Sequence, residues 1–79
     1  MSGLAARKIE EIPTNDGIQA HIALVEPNGD EHIVSCRCGF DGTTDITEFG
    51  TTGVIAYLSE RYGAQTVRDL TRQTTLTNL

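Results

Sequence analysis

Two cysteines and two histidines are the residues of this chain whose types suit chemistry, and all four fall between His21 and Cys38. Cys36, Cys38, His32 and His21 are the one cluster of candidate metal ligands, with zinc as the metal their N and S atoms would suit. Zinc cysteines are usually two or more residues apart, so that a turn brings the sulfurs together. Cys-x-Cys along a straight strand puts both side chains on one face but about 7 Å apart, two strand steps. With no second cysteine pair in the chain, a full ligand set needs both histidines, a carboxylate or a partner subunit. The other reading treats the thiols as small core hydrophobes. That reading is preferred, and no resident cofactor is expected.

Nucleophilic catalysis is a weaker fit. An activated thiolate needs a helix N-terminus or a paired imidazole. On a strand, His32 and Cys36 would share a face but stand about 13 Å apart. Asp41, Thr43 and Asp45 alternate oxygen side chains, but Ile46 and Thr52 stand where a calcium loop needs Gly and Glu. Gly50-Thr51-Thr52-Gly53 lacks the lysine of a phosphate loop. No catalytic residue is assigned, and the chain is not expected to be an enzyme.

The elements that position the thiols are two strand-like runs, about 18–25 and 31–38, joined by Glu26-Pro27-Asn28-Gly29-Asp30. Pro27 cannot flank a two-residue hairpin loop whose flanking pair exchanges both hydrogen bonds. Pro second and Gly fourth suit a turn over Glu26 to Gly29, with Gly29 as a left-handed bulge. That fixes the pairs Leu24 with His32, Ile22 with Val34 and Ala20 with Cys36. Ile18, Ala20, Ile22, Leu24, His32, Val34, Cys36 and Cys38 then share the more apolar, inward face.

Residues 1–14 read as an N-terminal arm or edge strand: Leu4, Ile9 and Ile12 fit a short helix loosely, but Asn15-Asp16-Gly17 is a second turn signal, favouring a strand at about 8–13. Residues after Cys38 read as a loop, with Asp45 and Glu48 spaced as a capping box. A helix is expected over about 52–62, carrying Val54, Ile55, Leu58 and Tyr62 on one stripe, ending at Gly63 and lying across the inward face. A short second helix follows at about 65–73, and 74–79 reads as a polar tail. Phe49 is the expected aromatic core filler. The fold class is α+β: one small domain over 15–73, a β-hairpin or three-stranded meander packed against a helix.

The segment Leu58-Ser59-Glu60-Arg61-Tyr62-Gly63 followed by Thr66-Val67-Arg68 resembles part of a helix-turn-helix as found in winged-helix repressors. The resemblance implies DNA contacts from Arg61, Arg68 and Arg72. It departs from the pattern between Gly63 and Val67, which is about two residues short of the usual turn.

Length and charge bound the rest. The 79 residues carry eleven acidic and six basic side chains, a net charge of −5 that disfavours phosphate backbones as partners. A chain of this size buries roughly 60 % of its unfolded surface, so its core is small and a homodimer is a natural second state. No apolar run is long enough to span a membrane. Two cysteines one residue apart cannot staple distant segments, which points to a reducing compartment, the cytoplasm. The expectation is a non-enzymatic regulator or inhibitor acting by protein–protein interaction. Its small size, acidity and scarcity of lysine also fit a phage-encoded inhibitor of a host or defence factor. The rival readings are a zinc-stabilised module and a DNA-binding regulator on 54–72.

Overall fold

The computed structural model describes residues 3–77. Its elements run β1 (Ala5–Thr14), β2 (Gly17–Val25), β3 (Glu31–Gly39), β4 (Thr44–Glu48), α1 (Val54–Tyr62) and α2 (Ala64–Leu76). The four strands form one antiparallel sheet in sequence order. The α+β class and the meander hold, with one strand more than the sequence showed.

The β2–β3 register is the one the turn dictates: Leu24 faces His32, Ile22 faces Val34 and Ala20 faces Cys36. The turn is closed by Gly29 N–H donating to Glu26 O at 2.9 Å and by Glu26 N–H donating to Asp30 O at 2.9 Å. Gly29 sits at φ 93°, the left-handed region that a bulge glycine occupies at little cost. Gly17, opposite Gly39, answers a different need. A Cβ there would stand 1.9 Å from the Cys38 carbonyl oxygen, so only a residue without one lets β2 and β3 meet at this end.

Residues 5–14 are the edge strand of the two alternatives, longer than the expected 8–13. The strand carries a bulge between Lys8 and Glu10 and a proline at position 13. Both features are tolerated on an edge, and both discourage another strand from adding there. Lys8 reaches beneath the sheet, donating to Thr77 O at 2.7 Å and to Glu11 Oε1 at 2.6 Å. Its charge thus lies at the C-terminal end of α2, where the helix dipole favours a cation.

Several expectations need correction. The stretch after Cys38 contains a strand, β4, because Thr44 and Ile46 present their side chains inward while the Asp41 carboxylate closes the preceding turn through Thr43 N–H. Asp45 therefore lies in a strand and caps nothing. Glu48 performs the capping from its own strand end, its Oε1 accepting from Gly53 N–H at 2.8 Å and Ile55 N–H at 3.4 Å.

The helix that covers the inward face is the second one. α2 packs against all four strands, whereas α1 packs on α2 and beside β4. Residues 74–76 are not a tail, since α2 runs to Leu76 with Thr75 fully buried; residues 78–79 lie outside the described part. The threonines explain the misreading. Thr71 Oγ1 donates to Val67 O and Thr75 Oγ1 to Thr71 O, so each hydroxyl is satisfied within its own helix and the side chain packs as an apolar one.

Phe49 fills no core. It is 55 % exposed and stacks on His21 across the outer face, with ring centroids 4.7 Å apart. The core is instead aliphatic and sulfur-bearing: Ile22, Leu24, Val34, Cys36, Leu58 and Val67 are its largest buried members.

Candidate functional site

The inward register of β3 carries Cys36 and Cys38 beneath α2, both free and both buried. Their sulfurs are 3.8 Å apart, much closer than two strand steps, because the side chains lean together under the helix. Burial pushes the Cys36 thiol up to about 11; the neighbouring Cys38 adds to the rise and the Thr75 hydroxyl opposes it. A thiol so raised is a poor nucleophile at neutral pH.

The other two sequence candidates do not join this pair. His21 lies on the outer face, against Phe49 and 3.4 Å from Glu10. His32 shares the inward face, yet its Nε2 is 2.8 Å from Glu26 Oε2 at the turn end of the sheet. Among the described residues no group of three or more His, Cys, Asp or Glu is arranged to hold a metal ion. Cys36, Cys38, His32 and His21 are thus two thiols and two separate imidazoles rather than one ligand set.

The densest polar cluster is one the sequence reading passed over. Glu26 is 3 % exposed; its Oε1 accepts from Tyr62 OH at 2.8 Å and Tyr57 OH at 3.1 Å, with Arg61 Nε 3.5 Å away. The His32 imidazole, then the Tyr62 hydroxyl, hold its carboxyl below the usual glutamate range, and the Tyr57 phenol is raised by its own hydrogen bond to Glu26. With both oxygens engaged, Glu26 ties the β2–β3 turn to α1. The signal was present in the alternation, since position 26 continues the inward parity of Ile18 to Leu24.

Arg61 is drawn into that cluster, while Arg68 and Arg72 are exposed on α2. Only Gly63 separates the two helices, which is shorter than a helix-turn-helix needs.

The sheet edge at β4 differs from the edge at β1. Its register runs without a bulge from Val34–Glu48 to Cys38–Thr44, and it contains neither proline nor lysine. Gly39 N–H donates to Thr43 O at 2.9 Å. Antiparallel alternation from that bond turns Asp45 and Thr47 toward β3 and leaves the main-chain groups of Thr44, Ile46 and Glu48 pointing away from it. No strand pairs with that side of β4 among the described residues. Beside it runs an open groove of about 370 Å³, walled by Ile46, Ile55 and Val67. Phe40, 80 % exposed, precedes β4, and Phe49 follows it.

Set against protein-family models, curated proteins and solved structures, the chain matches none. No helix among the described residues is long and apolar enough to cross a membrane.

Proposed function

We propose that this chain is a non-enzymatic regulator or inhibitor that docks on another protein through the β4 side of its sheet. One observation carries the reading: of the two sheet edges, only β1 is guarded. β1 has a bulge, a proline and a lysine, the devices that keep an edge from pairing. β4 has none of these and is bracketed by two exposed phenylalanines. Aromatic side chains at a surface are the usual anchors of protein interfaces.

The polar groups of the molecule support a docking role over a catalytic one. Glu26 is fully engaged by its neighbours, and the thiols lie under α2. Free thiols in contact also fit a reducing compartment such as the cytoplasm. An inhibitor encoded by a phage against a host or defence factor remains the class that size and charge favour.

The test is affinity capture from a lysate of the source cells, or of its host, followed by mass spectrometry. Wild-type chain and the Phe40→Ser and Phe49→Ser variants are compared. Both substitutions change exposed side chains, so the fold is retained. A protein captured by the wild type and lost by either variant supports the reading. Equal capture by all three, or none by any, contradicts it.

A further inference from the structure

The groove beside β4 holds three features that belong together. Thr44, which lines it, is 7 % exposed, and its Oγ1 is buried without a hydrogen-bond partner. Such a group costs about 1–3 kcal/mol unless something bonds to it. The 13-residue helix α2 starts in the same groove at Ala64, with no side-chain cap and no acidic residue in its first turn. Val67 N–H is taken by Gly63 O, which leaves the N–H groups of residues 64–66 without helical acceptors. Arg68 lines the groove one turn further on and has no salt bridge to any described residue. Asp45 also lines the groove, but it is paired across the strands with Arg37, whose guanidinium is held charged by Asp16 first and by Asp45 in smaller part.

From these we infer that the groove binds an extended peptide segment of the partner, added to β4 as a fifth strand, with an aliphatic side chain and an acidic side chain facing in. The outward main-chain groups of Thr44, Ile46 and Glu48 supply the ladder. Ile46, Ile55 and Val67 receive the aliphatic residue. The acidic residue, two positions along and so on the same face, places its carboxylate among Arg68, the start of α2 and Thr44. The carboxylate supplies the acceptor that Thr44 Oγ1 lacks and the anion that the helix dipole favours. In a chain with eleven acidic and six basic residues, a site selecting an anion is the exception in its surface, and charge complementarity names its occupant.

This inference rests on the docking reading and specifies its chemistry. The experiment pans a display library of random octapeptides on the intact chain. Enriched peptides are then titrated by fluorescence polarisation and mapped by backbone amide shifts. The expected result is enrichment of an aliphatic-x-acidic pattern, with shifts at Thr44, Ile46, Glu48 and residues 64–66. Replacing the peptide's Glu by Gln, or Arg68 by Glu (Arg68→Glu), should weaken binding tenfold or more. Thr44→Val, which keeps the shape of the side chain, should weaken it several-fold. Enriched peptides lacking an acid, affinity unchanged in Arg68→Glu, or shifts confined to the outer sheet face would overturn the inference. No enrichment, alongside successful capture of a partner protein, overturns the groove chemistry while leaving the docking role intact. Failure of both overturns both.

Discussion

The buried thiol pair gives a prediction whose size follows from its surroundings. Cys36 is fully buried and its thiol is pushed from an ordinary 9.0 to about 11. Near pH 8 that shift leaves about a hundredfold fewer thiolates than an unperturbed cysteine would have, and burial under α2 removes access as well. Reaction of the native chain with an aromatic disulfide reagent should therefore be at least a hundredfold slower than in concentrated guanidinium chloride.

Stability should follow the same group. A raised pKa means that the folded state holds its proton more tightly than the unfolded state. The contribution is whole below about pH 9 and is lost as pH climbs to about 11, a fall of about 2–3 kcal/mol across the window. Urea titrations at intervals of pH measure it, and Cys36→Ala should flatten that part of the profile relative to the wild type. Thiols that react at the same rate folded and unfolded, or a wild-type profile parallel to that of Cys36→Ala between pH 9 and 11, would refute the placement of the sulfurs beneath α2.

Other substitutions probe the joints of the fold. Leu58→Ala removes a fully buried side chain from α1 and should cost about 2–5 kcal/mol by urea unfolding, since the cavity cannot fully collapse. Gly17→Ala should abolish cooperative unfolding in a thermal scan, because its Cβ meets the Cys38 carbonyl rather than a flexible side chain. Glu26→Gln should lower the melting temperature at pH 7. It should also weaken the acid destabilisation of the wild type, because a carboxyl held below its usual range contributes stability that disappears as pH falls through its folded pKa. Circular dichroism melts at pH 7 and pH 3 measure both effects.

The β2–β3 hairpin was legible from sequence because one turn specified it. Pro27 excluded the short loop, Gly29 accepted the positive φ, and the resulting parity placed every inward residue from Ala20 to Cys38. Glu26 obeyed the same parity, but a single charged residue at a strand end gives no hint of the two tyrosines that reach it from 31 and 36 residues away. β4 escaped notice because a five-residue strand with one aliphatic residue, Ile46, has almost no periodicity to read. α2 was understated for a chemical reason. Threonines at 71 and 75 look polar in a sequence, yet each donates to the carbonyl four residues back and turns its methyl to the core. Phe49 was misplaced by the opposite assumption, that a scarce aromatic must be buried.

The closeness of the two sulfurs was likewise beyond strand geometry alone. Spacing along an ideal strand separates them by about 7 Å, and only the lean of both side chains under α2 brings them to 3.8 Å. The separation of His21 from His32 was readable, since residues of opposite parity face opposite ways. His32 itself turned out to be committed to Glu26.

The openness of the β4 edge can be read one amide at a time by hydrogen exchange, followed by NMR in the free chain and in its complex with the captured partner. The account predicts that the amides of Thr44, Ile46 and Glu48 exchange quickly in the free chain, while those of Asp45 and Thr47 are protected by β3. It predicts that binding slows the first three tenfold or more. Protection of Thr44, Ile46 and Glu48 before any partner is added, or their continued fast exchange in the complex, would contradict it.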